Sequence, residues 1–425
     1  MRHGSRAVAL RILLGNQDDQ RIPLERQFQG SSFTSLQARD RRLTTELVYG
    51  VLRNRSLLDF QLDSLLDRPR SSLDPEVLEI IRIGLFQLSF LRIPNWAAVH
   101  ETVQLCKDMR KFSASALVNA ILRRFLQVSP SLPDEDNAES LAIRYSHPEW
   151  LVHRYISRYG LRGTQQILER NNQPPQLYLW TNLFKMTFED LCWELEREGV
   201  SFQLHPSLPN CLIVRSNSFV QHRLYREGYC FLMDAASQEV AHLGDLRQCR
   251  VLGDFCAAPG GKSFLLSLRK PANAHLYSCD ISFSRLNQLR QRANLYQIPH
   301  IRLVQADLNN SPLKPHFDFI LLDVPCTGTA TLRSNPDIRW RLNEHDLNRL
   351  SGIQLSLLRN SFQLLREGGQ LIYATCSTEP EENEDVVEDF LSGEPGAQLR
   401  GFPLSTFLER ESFFAASLVR PFKGK

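Results

Sequence analysis

The stretch RVLGDFCAAPGGKSFLLSL, residues 250–268, decides the fold. It opens on a short apolar run (250–255), turns through small residues from Cys256 to Gly261, and continues from Lys262 into a segment with helical periodicity. Strand, small-residue turn and helix in that order predict one repeat of an α/β fold. Ala257, Ala258, Gly260 and Gly261 allow a ligand to approach the backbone, and Pro259 stiffens the turn. The helix that follows offers free N–H groups and the positive end of its dipole to an anionic ligand group. A mere tight turn would account equally well for the glycines alone, so the flanking sequence has to decide.

Downstream, short apolar runs recur at 275–280 (HLYSCD), 301–307 (IRLVQAD), 317–324 (FDFILLDV) and 369–376 (GQLIYATC). Helical patterns at 262–269, 283–297, 346–365 and 382–391 separate them. Such alternation predicts a parallel sheet covered on both faces, with ligands bound beyond the carboxyl ends of its strands. Asp280 closes the second strand, 19 residues after Gly261, where an acid commonly takes ribose hydroxyls. Asp307 and Asp323 end the third and fourth. Three acids at successive strand ends turn the balance toward a cofactor site. A nicotinamide enzyme would carry G-x-G-x-x-G, and A-A-P-G-G-K is a different turn.

Upstream the texture changes twice. The first ~130 residues read as helical, with patterns at 43–66, 77–91 and 98–126 and Pro75 near one helix start. VSPSLPDEDNAES (128–140) reads as a linker. From 141 to 235, breaks at His147-Pro148 and NNQPPQ (171–176) alternate with strand-like LYLWTNL (177–183) and CLIVRS (211–216) and a helical stretch at 187–198. Three parts follow: an all-α domain over 1–130, a small α+β unit over 141–235, and a Rossmann-like α/β domain over 236–425.

Composition narrows the function class. With 42% hydrophobic and 23% charged residues, the chain is an ordinary globular protein. No apolar run approaches the ~20 residues that span a bilayer. Met1–Gly15 is dotted with arginine and lacks a secretion signal, so a cytoplasmic location is expected. The nine cysteines form no C-x-x-C pair and no zinc-finger spacing, and no metal is expected. Net charge is only +3, yet residues 1–130 hold 19 Lys/Arg against 13 Asp/Glu while the remainder holds 31 against 34. A basic front end on a near-neutral remainder fits an RNA-contacting arm.

Two cysteines stand out. Cys326 lies in LLDVPCTGT (321–329), just past the fourth strand, and Cys376 in YATCSTEPEEN (373–383), at the end of the fifth. Neighbouring parallel strands lie ~4.8 Å apart, so both can reach one substrate base. A lone cysteine there would be a packed thiol; two beside a cofactor pocket favour chemistry. A thiolate adding to carbon 6 of a cytosine breaks the ring's conjugation and makes carbon 5 able to accept a methyl group. A free thiol titrates near ~8.5, so the site must favour the thiolate. Asp323 could bond the ring as charge builds, touch the cofactor, or both. Asp323-Val324-Pro325-Cys326 is not the polar-Pro-Pro-aromatic clamp of amino-methylating enzymes.

These residues resemble the RNA cytosine-5 methyltransferase superfamily, and the domain order resembles its bacterial RsmB (Sun, Fmu) branch, which modifies small-subunit ribosomal RNA. Residues 5–127 are similar to a NusB-like helical domain, most clearly at 38–59 and 100–126. RYSHPEWLVHRY (144–155) and MDAASQEVA (233–241) resemble the segments flanking the small RNA-binding unit, and CAAPGGK, DVPCTGT, NPDIRW (335–340) and ATCSTEPEEN are the most specific matches. The resemblance implies that Cys256, Ala257, Ala258, Pro259, Gly260, Gly261, Lys262, Asp280, Asp307 and Asp323 hold S-adenosyl-L-methionine. It also implies that Cys376 is the nucleophile and Cys326 assists product release. Val324, Thr327 and Ala330 stand where alanine, serine and glycine are usual, and Met233 and Ala235 where Gln and Glu are common.

The substrate expected is RNA, free or in an assembling subunit, and the protein is expected to be a monomer. A cytosine within a stem must be flipped out to be reached. Arg333, Arg339 and Arg341, around Trp340, could contact phosphate or stack on a base, or equally form a solvated helix start. The acidic 379–389 segment is expected to cap the helix after it. Rival readings are a transfer-RNA or DNA cytosine as target, a non-catalytic RNA-binding scaffold, and a nicotinamide oxidoreductase.

Overall fold

Asp74 and Pro75 start a helix for simple reasons: the aspartate side chain accepts from Glu76 N at 2.9 Å, and proline at the first helical position sacrifices no hydrogen bond. The helix they start, Pro75–Phe90, is buried from Glu79 to Gln87 without interruption, as its all-round apolar sequence predicts. The computed structural model describes residues 4–15, 24–128, 130–215, 219–314, 316–404 and 413–422; Ser129 of the linker and Ser216 of the CLIVRS run lie outside them. The chain divides into two compact units, Met1–Gln173 with Leu332–Leu342, and Pro174–Thr331 with Asn343–Lys425.

The first unit is helical among its described residues. Pro75–Phe90 packs with Ser5–Gly15, Ala38–Arg53, Asn95–Asp108 and Ser115–Gln127 around one apolar core. A side chain on Gly50 would overlap the Phe86 ring, which lies 1.9 Å from its Cβ position, so two helices meet there backbone to ring. Arg82 is buried in the same layer and pairs with both oxygens of Asp59 at 2.7 Å and with Glu79. Each of the patterns 43–66 and 98–126 is in fact two helices, broken at Asn54 and over Met109–Ala114, where Arg110 has φ 61°. Ala138–Arg144 and Glu149–Asn172, the latter broken at Gly160 with φ 65°, also belong to this unit, so helical structure continues well past residue 130.

The second unit carries two sheets. The smaller is formed by β1 (Leu177–Thr181), β2 (Phe202–Leu204), β3 (Cys211–Val214) and β4 (Cys230–Leu232), all antiparallel in the order β2-β3-β1-β4. The helix Phe188–Arg197 beside them is capped by Thr187, whose side chain accepts from Asp190 N.

The larger sheet contains β5 (Val251–Phe255), β6 (His275–Asp280), β7 (Ile301–Gln305), β8 (Phe317–Asp323), β9 (Leu365–Thr375), β10 (Gln398–Leu404) and β11 (Phe414–Val419). Their order is β10-β11-β9-β8-β5-β6-β7. The five strands expected from the sequence are parallel neighbours. The sheet is nevertheless mixed: β11 runs antiparallel to β9, and β10 antiparallel to β11, which corrects the all-parallel expectation. After β5 the chain adds β6 and β7 on one side, then returns to add β8 and β9 on the other. The crevice at that reversal, beyond the carboxyl ends of β5 and β8, is where an open α/β sheet binds ligands. No helix among the described residues is long and apolar enough to cross a membrane.

Candidate active site

The turn after β5 is built as its residues require. Gly260 has φ 105°, and a side chain there would stand 2.7 Å from Leu289, so only glycine fits at the N-cap of the helix Gly261–Arg269. Asp280, at the end of β6, is buried; its carboxylate accepts from Ala258 N at 3.3 Å and Ser282 N at 2.9 Å, tying the turn to the next strand. Asp307 follows β7 and accepts from Asn309 N at 2.9 Å. Asp323 ends β8, with its side chain 29% exposed.

Lys262, in the first turn of that helix, reaches across to Asp323, with Nζ 2.7 Å from Oδ2. Burial pulls its ammonium down, but Asp323 and the Cys376 sulfur outweigh this and hold it above the ordinary lysine value. The cationic group of the turn therefore faces the cysteine side of the crevice.

Cys326 and Cys376 come together as adjacent strand ends should. β8 and β9 are paired with Asp323 opposite Ala374, which places the two loops side by side. The sulfurs are 3.0 Å apart, a hydrogen bond between free thiols, and Cys376 N donates to Cys326 Sγ at 3.3 Å. The bond to Cys376, then burial and Glu382, push the Cys326 thiol well above its ordinary 9.0. The arrangement offers one sulfur as nucleophile, the other as proton carrier, and a Lys–Asp pair alongside.

Two buried acids near the site escaped the sequence reading. Asp254 lies in the middle of the sheet, fully buried; Ser263 Oγ donates to its Oδ2, while Oδ1 finds no partner among the described residues. Burial pushes its carboxyl up to about 7 from the ordinary 3.8. Between those values the folded chain holds a proton that the unfolded chain has released, so Asp254 subtracts stability as pH rises toward neutrality. Asp254→Asn is expected to flatten the fall in melting temperature between about pH 4 and pH 7, and to raise the melting temperature above that range. Parallel melting curves for the two proteins would contradict this. The second acid is Glu382, discussed below; of the acidic 379–389 segment, Glu384 and Asp385 do sit in the first turn of the helix Glu384–Gly393, while Glu379 and Glu382 are buried.

The arginine run is a correction. Arg339 is 1% exposed, and its guanidinium donates to Ser146 O at 2.9 Å, Asn171 O at 2.9 Å and Asn172 Oδ1 at 2.8 Å, all within the first unit. Trp340 Nε1 donates to Leu52 O at 2.7 Å, and Arg341 pairs with Asp337 at 2.9 Å. Residues 332–342 thus pack as part of the first unit, and neither Arg339 nor the indole N–H is directed at a ligand.

Known proteins with the same features place this chain. Residues 244–417 match the family 16S rRNA methyltransferase RsmB/F, residues 3–127 the NusB family, and residues 147–221 the RsmF/B-like ferredoxin-like domain. A protein of Cronobacter sakazakii named ribosomal RNA small subunit methyltransferase B is 31% identical over 398 residues, covering 90% of this chain and 91% of its own. The chain belongs to the RsmB/F methyltransferase family. A Synechocystis member named probable ribosomal RNA small subunit methyltransferase B is 32% identical over 361 residues, covering 83% of this chain and 81% of its own. Two solved structures share the fold: that of PH0851 has a TM-score of 0.84 over 99% of both chains at 24% identity, and NSun6 of Pyrococcus horikoshii a TM-score of 0.58 over 65% of this chain and 99% of its own at 18% identity. These two show the common fold.

Proposed function

We propose that this RsmB/F-family methyltransferase transfers a methyl group from S-adenosyl-L-methionine to carbon 5 of a cytosine in small-subunit ribosomal RNA, through a covalent bond between Cys376 and carbon 6. The observation that carries this reading is the pair of sulfurs 3.0 Å apart beside the Lys262–Asp323 ion pair. A single methyl transfer to a ring nitrogen or hydroxyl needs no thiol, whereas addition, proton removal and elimination at a pyrimidine need a nucleophilic thiol and a base, the roles a pair of cysteines can fill.

The residues fit the cofactor. Gly260 leaves the helix start bare, Asp254 keeps an unsatisfied buried oxygen under the turn, and Asp280, Asp307 and Asp323 end three strands around the crevice. Cys256 through Lys262 with those three acids would hold S-adenosyl-L-methionine, which supplies the methyl group as an electrophile when bound.

In this reading Cys376 Sγ, as thiolate, bonds carbon 6, and the electron pair of the 5,6 double bond makes carbon 5 nucleophilic. Lys262 and Asp323 lie where negative charge spreads into the ring, with Asp323 meeting the ring nitrogen or amino group. The Cys326 thiol gives its own proton to solvent beforehand; once carbon 5 carries the methyl group, the Cys326 thiolate takes the carbon 5 proton, the double bond re-forms and Cys376 leaves as thiolate. The NusB-like residues and the small α+β unit are read as the RNA-holding parts, in line with the basic excess of residues 1–130. The names of the relatives support ribosomal RNA as the substrate.

Incubation with methyl-labelled S-adenosyl-L-methionine and either small-subunit ribosomal RNA or transfer RNA tests the reading. Label recovered as 5-methylcytosine in the ribosomal RNA alone is expected. Label in transfer RNA instead, or on another atom, contradicts the assignment.

A further inference from the structure

Cys326 has no secondary structure of its own: it lies in the segment between β8 and the short 3-10 turn Thr329–Thr331. Something else must fix its sulfur, and the described residues identify it. Glu382 is fully buried, and its carboxylate accepts from Thr327 N at 2.9 Å, from the Thr327 hydroxyl, and from Gln354 Nε2 at 2.9 Å. Gln354, buried on the helix His345–Gln363, also donates to Pro325 O at 2.9 Å. The residues before and after Cys326 are therefore each held by a buried side chain, and those two side chains hold each other.

Glu382 is itself anchored to the strand that ends at Cys376. Its carbonyl accepts from the hydroxyl of Tyr373, on β9, at 2.6 Å. A second seam runs parallel: Ser377 Oγ, next to Cys376, lies 3.2 Å from both Thr327 Oγ1 and Thr329 Oγ1, and Ala330 N donates to Cys376 O at 3.0 Å. The separation of the two sulfurs is thus set by a polar network rather than by the sheet alone.

We propose that Glu382 is a positioning residue which, with Gln354, clamps the backbone on both sides of Cys326 and so fixes the sulfur for the proton-removal step. This rests on the reading of Cys326 as the residue that resolves the adduct. The chemistry explains why a carboxylate stands there. Three donors converge on it, and two acceptor oxygens take all three; a glutamine would turn its own N–H₂ toward a donor and leave a buried N–H or O–H unpaired. Buried networks of this kind lose their geometry when one member fails.

The test compares Glu382→Gln and Gln354→Met with the parent enzyme and with Cys326→Ser, on ribosomal RNA and S-adenosyl-L-methionine. The positioning role predicts a kcat lower by about tenfold or more, because small misplacements of a reacting group cost that much, with KM for RNA within about twofold. It also predicts a denaturant-stable RNA–protein adduct that builds up during turnover, as in Cys326→Ser. Gln354→Met should show the same adduct more weakly, and it decides alone should Glu382→Gln not fold. Loss of melting temperature with no adduct in either variant, while Cys326→Ser traps one, overturns the proposal and leaves the reading of Cys326 standing. Absence of adduct in Cys326→Ser removes that reading, and the proposal with it.

Discussion

Cys376→Ser is expected to abolish turnover, lowering kcat by roughly 10⁴-fold or more, as removal of a covalent nucleophile does elsewhere. A serine hydroxyl is nearly isosteric but does not ionise near neutral pH, so carbon 6 is left without an attacking group. Cys326→Ser should behave differently. The nucleophile remains, the methyl group is transferred, and the missing proton acceptor strands RNA on the protein as an adduct that survives denaturation. Radiolabelled RNA on a denaturing gel checks both variants. An adduct present in Cys376→Ser and absent in Cys326→Ser would exchange the two roles.

The second large effect concerns folding. Arg339→Ala is expected to destabilise the first unit by about 3 kcal/mol or more, since buried carbonyls of Ser146 and Asn171 and the side chain of Asn172 lose a charged donor together. For a unit of this size that corresponds to a fall in melting temperature of roughly 6–12 °C. Lysine does not rescue it, because one ammonium cannot replace a planar fork that bonds three acceptors. Calorimetry on the full chain provides the readout. An unchanged melting temperature with weakened, less salt-dependent RNA affinity would restore Arg339 to a phosphate contact.

The two arginine-rich and cysteine-rich segments show where sequence reading succeeds and where it stops. Cys326 and Cys376 were legible because strand ends have fixed consequences: two apolar runs read as neighbouring parallel strands deliver their last residues to one place. The Gly260 turn was legible for the same local reason. Arg339 was not, since its burial depends on carbonyls 168 and 193 residues away in sequence, and an Arg-Trp-Arg run looks alike on a surface and in a core. Glu382 was masked by its acidic neighbours; one carboxylate of a capping-like run turns inward to Thr327, and only the structure shows which. β10 went unread because six of its seven residues are not buried, so it lacks an apolar face, and β11 because Ala415, Ala416 and Ser417 weaken its apolar signal. The helix breaks at Asn54 and Arg110 were invisible because the apolar spacing runs through them.

The proposed reaction runs through a transient sulfur–carbon bond at residue 376. Its most direct measurement is mass spectrometry of the adduct trapped by Cys326→Ser, after digestion with nuclease and trypsin. The peptide containing Cys376 should carry the mass of a methylated cytidine nucleotide, with fragment ions placing it on that cysteine. The same mass on any other side chain, or a peptide bearing Cys376 recovered only unmodified, would contradict the mechanism.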